Sequence, residues 1–245
     1  MNFKNGAVLL LAAMILLSGC IKQEYYQKME KDGSSMIKQI TDFSPMVETM
    51  KESMADFDGG DSGENVTEGL KEVCNEITDE TISCSADGLI LTLEKRFTPE
   101  DGYYTFEVEQ GLFNTYKVTV NKIPTDAFGD ALSGEDFIDG ATASTQIVSL
   151  KDKTNAKQAA QTATLIGMEF SYVVEMPGSI TSATVDGGEY VPEIEGSTAK
   201  YDLVEVFDDS GSLVIESQEL NILWIGIALA VIVIAVLAFM YFKKK

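Results

Sequence analysis

The sequence predicts an α+β protein: antiparallel β-sheets carrying a two-helix insert on one face, followed by a single C-terminal transmembrane helix. Three observations predict it. Between Ser44 and Ile77 apolar residues recur at helical spacing, with Val47, Met50, Met54 and Phe57 on one face, then Val66, Leu70, Val73, Cys74 and Ile77 on another. From Leu89 onward the period changes to two, the signature of half-buried strands. The run from Ile222 to Phe242 is 21 residues without a charge.

Residues 1–19 follow the plan of an export signal. Lys4 sits in a short charged region, an apolar run extends from Ala7 to Leu17, and small Ser18 and Gly19 precede Cys20. The apolar run is too short to span a bilayer. Leu17-Ser18-Gly19-Cys20 is similar to the lipobox of prokaryotic lipoproteins, in which the leader is cut before the cysteine and the thiol takes a diacylglycerol. The alternative is an ordinary signal peptide, or an uncleaved anchor, that happens to end in cysteine.

After Cys20, "IKQEYYQKMEKDGSSMIKQ" reads as a strand, an Asp32-Gly33 turn and the start of a second strand. In "FSPMVETMKESMADF" Ser44 can cap a helix whose first turn accommodates Pro45. The methionines Met46, Met50 and Met54 on it invite a soft-metal or lipid-groove reading, but thioethers on a helix face serve as ordinary adaptable core. "NVTEGLKEVCNEI" repeats the helical pattern, with the acidic loop "DGGDSGE" between. Then Leu89, Leu91, Leu93 and Phe97 share one strand face, Tyr104, Phe106 and Val108 a second, Tyr116, Val118 and Val120 a third. Short turns at Pro99–Gly102 and Gln110-Gly111 join them, so the expectation is one antiparallel meander packed on one side by the two helices. Residues 124–145 lack a clear period and read as a long loop, and "TNAKQAAQTATLIG" reads as a helix. Four or five strands follow to Ser217, with Phe170, Tyr172, Val174 and Met176 on one face and turns at Pro177-Gly178, Asp186–Gly188 and Asp208–Gly211. The division is therefore a leader (1–19), an N-terminal α+β part of the ectodomain (20–141), a β-rich C-terminal part (142–220), the helix (222–242) and a tail (243–245).

The terminal run is about 31 Å long as a helix at ~1.5 Å per residue, which matches a hydrocarbon core of ~30 Å. Lys243, Lys244 and Lys245 place the C-terminus in the cytoplasm and the ectodomain outside, with Glu216 and Glu219 on the outer flank. With strand-like sequence ending at Ser217, Gln218 to Asn221 form a stalk of ~13 Å at ~3.3 Å per residue. A lipid on Cys20 is not needed for retention beside such a helix. Its effect is to hold the start of the ectodomain against the leaflet into which the end of the ectodomain already plunges.

Apart from Lys4 and the three terminal lysines, the chain carries 14 basic residues against its 39 acidic ones, a net charge of about −25 over residues 20–221. That field excludes nucleic acid and disfavours anionic headgroups as partners. It reads as solubility, including solubility in a salty medium, ahead of dedicated cation binding. Cys74 and Cys84, an exported pair in "VCNEITDETISC", read as a disulfide tying helix to sheet.

Histidine is absent, which removes Ser-His-Asp and Cys-His nucleophilic schemes and the commonest transition-metal ligand. Carboxylate pairs are inevitable among 39 acidic residues, and none stands in an apolar setting that would raise a pKa, so no catalytic set is assigned. Asp56, Asp58, Asp61 and Glu64 resemble a calcium loop, but Gly60 and Asp61 occupy the places that need a ligand and then a glycine. A solvated linker is the preferred reading, with a weak millimolar site allowed and no other metal or cofactor expected. The sequon Asn65-Val66-Thr67 permits glycosylation where the host has the machinery.

"FSYVVEMPGSI", a further pair of strands, a short stalk and one terminal helix resemble the LppM-like envelope lipoproteins, over both ends and roughly residues 168–245. The chain departs from that pattern at Asp186-Gly187 and Tyr201, where Asn-Gly and a strand tryptophan are expected, and in the insert from Ser44 to Ile77. The resemblance implies an envelope location and a lipid or glycolipid role, and it supplies no catalytic residues. The functional expectation is a non-catalytic envelope lipoprotein in the cytoplasmic membrane, anchored by diacylglycerol on Cys20 and by helix 222–242, whose ectodomain binds a membrane protein or a lipid. The rivals are a structural surface component without a specific ligand and a membrane-tethered hydrolase using carboxylates alone.

Overall fold

The computed structural model describes residues 21–53, 62–123, 128, 169–186, 188, 190–203, 205–206 and 212–243. Cys20, Asp56, Asp58 and Asp61, and the helix expected at 154–167, lie outside the described residues. The elements are β1 (Lys22–Met29), β2 (Ser35–Asp42), α1 (Ser44–Ser53), α2 (Ser62–Glu76), β3 (Ile82–Asp87), β4 (Ile90–Phe97), β5 (Tyr104–Glu109), β6 (Phe113–Val120), β7 (Glu169–Glu175), β8 (Ser179–Val185), β9 (Glu193–Glu195), β10 (Thr198–Asp202), β11 (Leu213–Leu220) and α3 (Ile222–Lys243). The fold is α+β, as the change of period predicts.

The described strands form two sheets. One has seven strands in the order β3-β4-β2-β1-β7-β10-β9, the other four in the order β5-β6-β11-β8. The single meander expected through residues 82–120 is therefore corrected: β3 and β4 belong to the large sheet, β5 and β6 to the small one. The break is local. Thr98 and Asp101 form a reciprocal cap around a 3-10 turn at Pro99–Asp101, and Gly102 follows at φ +80°. Strand alternation on both sides of that turn is the same, so periodicity carries no information about which sheet each hairpin joins.

A second departure is the parallel pairing of β1 with β7, which sets Tyr25 beside Tyr172. All other strand pairs among the described residues are antiparallel. Since β1 meets β7 and β6 meets β11, the parts 20–141 and 142–220 read from sequence share both sheets. The inner faces of the two sheets contribute to one buried cluster, with Ile37, Leu93, Val174 and Tyr201 from the large sheet and Val118, Val185 and Ile215 from the small one. Phe170, Tyr172, Val174 and Met176 are all buried, as their shared face predicts.

The insert α1–α2 covers the β3 end of the large sheet. Asp42 accepts the Ser44 N–H at 2.8 Å as α1 begins, Val47 and Leu70 bury the apolar sides of the two helices, and α2 contacts β3. Cys74 in the last turn of α2 and Cys84 in β3 stand at disulfide distance, with Cα atoms 5.2 Å apart.

The interior of the large sheet is more polar than a β-sandwich core requires. Register places Leu93, Gln39, Tyr25, Tyr172 and Tyr201 side by side across five strands, all buried. Tyr172 donates to Gln27 Oε1, and Gln27 Nε2 in turn donates to Ser35 Oγ at 3.1 Å. The Tyr201 hydroxyl is buried without a partner among the described residues. Removing one hydroxyl must then differ from removing the other. Tyr172→Phe should cost about 1–2 kcal/mol because it strands Gln27 Oε1, whereas Tyr201→Phe should melt no lower than the parent protein. Paired thermal melts of the two variants check this.

Burial also pushes the Tyr172 and Tyr201 phenols upward. A raised folded-state pKa means that the neutral form is favoured by the fold. The associated stability is intact below the unfolded value near 10 and lost as pH rises above it. The urea midpoint should hold to about pH 10 and fall beyond it, with phenolate absorbance at 295 nm appearing together with unfolding.

Candidate functional site: the end of the body that meets the terminal helix

The helix α3 is long and apolar enough to cross a membrane, with a mean hydropathy of 3.1 over Ile222–Tyr241. Its described apolar side chains are largely exposed, from Ile222 to Tyr241, so it is not a core helix of the body. A helix apolar all round and unburied by protein is matched to lipid. Trp224 and Tyr241 stand 17 residues apart on it, about 26 Å at ~1.5 Å per residue, which is the spacing of two interfacial aromatic belts. Trp224 is a signal that counting apolar residues alone passes over.

The four-residue stalk expected from sequence is corrected. β11 continues to Leu220, paired with Phe113, so Asn221 alone separates the sheet from the helix. Glu216 and Glu219 read as an outer flank and Gln218 as the start of the stalk, yet Glu216 and Gln218 are outward residues of a strand whose alternate members Ile215 and Ser217 are buried. Asn221 is fixed from three directions. Its N–H donates to Leu112 O at 3.0 Å, its Nδ2 donates to Asn114 Oδ1 at 2.8 Å, and its Oδ1 accepts the Leu223 N–H at 3.1 Å as the helix N-cap. The asparagine immediately before the apolar run was the available sequence signal for this cap. Asn221→Ala should cost about 1 kcal/mol and speed amide exchange at Leu223, measured by hydrogen exchange on the reconstituted chain.

The same end carries a cleft. Lys28, Lys31, Glu30, Glu175 and the turn Pro177-Gly178 line an open space of about 470 Å³. Two contacts tie it to the end of β11. Lys31 Nζ pairs with the Glu219 carboxylate at 2.7 Å, and Ser217 Oγ donates to Pro177 O at 2.7 Å. The Glu219 hydrogen bond, the largest influence on it, raises the Lys31 pKa. Glu219 precedes Ile222 by three residues, so the Lys31 side of the cleft lies within ~10 Å of chain from the helix. Its two lysines and two glutamates balance, in contrast to the acidic chain as a whole.

Of the residues singled out in sequence, Asn65 falls in the first turns of α2, and Glu64 lies in the same turn. Cys74 and Cys84 are brought together, as above. Among the described residues no group of three or more histidine, cysteine or acidic side chains could hold a metal ion.

No protein-family profile matches the chain, and no curated protein does. The chain is similar to a solved structure, the folded domain of Mycobacterium tuberculosis LppM. That NMR structure is aligned over 82% of this chain and 91% of its own length, at 9% identity and a TM-score of 0.29. A likeness at that level carries no inference about fold or activity.

Proposed function

We propose that this protein is a non-catalytic, membrane-anchored binding domain. Helix α3 spans the membrane with the folded body outside, Cys20 carries a second, lipid anchor, and the cleft beside Lys31 takes the polar part of a lipid or glycolipid at the outer surface. The observation that supports it is the junction. Asn221 leaves no stalk and is hydrogen-bonded on three sides, which opposes swinging of the body away from the surface into which α3 inserts. The cleft, tied to Glu219 and Ser217, is then held at headgroup height, and its balanced charge suits a zwitterionic or sugar headgroup better than a strongly anionic one.

A second reading, a membrane-protein partner, is favoured by β9, an edge strand on which Ile194 is exposed and beside which Val191 is 78% exposed. A photo-crosslinking residue at Ser179, which lines the cleft, separates the readings in native membranes. Adducts carrying lipid mass support the first, adducts to a membrane protein support the second, and a cell-surface component without a ligand gives neither.

A further inference from the structure

The small sheet presents an outer face that is polar for most of its length. Glu107, Lys117, Glu216 and Gln218 lie on it, with Lys117 and Glu216 paired at 3.0 Å. At one end this changes. Phe113 and Leu220, cross-strand partners on that face, are 48% and 49% exposed, and Leu112 in the adjoining β5–β6 turn is 55% exposed. This is the end at which the chain enters α3.

We infer that the tip of the β5–β6 hairpin, with Leu112 and Phe113 beside Leu220, is a membrane-interface contact that lies in the headgroup layer next to α3. The inference rests on the reading of α3 as a membrane span, and it adds a third point of contact to that reading. The position follows from a single hydrogen bond. Leu112 O accepts the Asn221 N–H at 3.0 Å, so the tip stands level with the residue that precedes the helix, whatever the tilt of α3. Trp224 is three residues further on, about 4.5 Å along the helix axis. Each interfacial layer is roughly 5–7 Å deep, so a tip fastened to Asn221 falls inside it when Trp224 occupies its aromatic belt.

The chemistry agrees with the position. Leucine and phenylalanine side chains half-exposed to water gain from burial at the boundary of headgroup and acyl chain, and the hairpin tip itself, Gly111 to Asn114, bears no acidic residue to oppose insertion. A protein partner is a poorer occupant. Three half-exposed side chains supply only a fraction of the roughly 800 Å² per partner that a stable interface buries. A hairpin tip and a spanning helix that enter the same leaflet side by side resist rocking of the body about Asn221.

Trp224 is the only tryptophan in the chain, which makes the test direct. Full-length protein is reconstituted into phosphatidylcholine–phosphatidylglycerol vesicles containing lipids brominated at shallow acyl positions, and tryptophan quenching is recorded. Trp224→Phe carrying either Phe113→Trp or Leu112→Trp should be quenched about twofold or more, as expected of an interfacial indole. Trp224→Phe carrying Asn121→Trp, about 26 Å away at the far end of β6 at ~3.3 Å per residue, should not be quenched. Quenching of parental Trp224 with none at positions 112 and 113 would overturn the hairpin contact while leaving the span intact. Failure to quench Trp224 itself would remove the span and, with it, this inference.

Discussion

Replacing Gly178 by alanine should lower the stability of the folded body by about 2–4 kcal/mol, by two separable effects. Gly178 has φ +80°, a left-handed conformation that costs an L-residue about 1–2 kcal/mol. An added Cβ would also stand 2.4 Å from Gln218 O and 2.7 Å from Gln218 C, backbone atoms of β11 that cannot rotate away. Gly178 forms the turn with Pro177 through which the chain passes from the large sheet to the small one, and Ser217 already holds Pro177 O. Relief of the overlap must therefore part the β7–β8 turn from the last residues before the helix. Gly196→Ala supplies the comparison: its φ is +60° but nothing lies within 4 Å, so the conformational effect alone, about 1 kcal/mol, is expected. Urea titrations of both variants followed by circular dichroism check the difference, and equal losses would contradict the close approach to Gln218.

The double variant Cys74→Ser, Cys84→Ser should lose about 2.8 kcal/mol, from the entropy of a loop closed over a separation of 10 residues. The loss should be concentrated at one side of the molecule. β3 is an edge strand, and α2 holds to the body mainly through Leu70, with Val66 and Val73 only partly buried. Reducing agent should bring the parent protein to the variant's urea midpoint and leave the variant unchanged. Amide exchange should rise first in α2 and β3.

Much of the fold was legible because its local signals are strong. The Asp32-Gly33 turn between alternating segments marks β1–β2, and the passage from 3.6 to 2 marks the end of the insert. Phe170 to Met176 reads correctly as a strand with a buried face. What was not legible depends on pairings between residues far apart in sequence. The parallel β1–β7 pair and the division of β3–β6 between two sheets leave no trace in periodicity, since either partner would satisfy the same apolar face. The length of β11 was missed for a different reason. Gln218 and Glu219 break the apolar alternation, and these last residues with Leu220 gain their place by pairing with Thr115, Asn114 and Phe113 of β6. The junction was half legible: Asn221 before an apolar run signals a cap, but its bonds to Leu112 and Asn114 belong to tertiary structure.

The account depends most on the claim that the body is held at the bilayer surface by anchors at both of its ends and takes its ligand there. Native mass spectrometry of the full-length protein, released gently from its own membranes, tests that claim most directly. A mass equal to residues 20–245 plus a diacylglycerol group, with further lipid or protein retained, is the expected result. A bare chain that begins at Cys20 without lipid, or one that keeps residues 1–19, and that carries nothing bound, would contradict it and leave a surface component without a ligand.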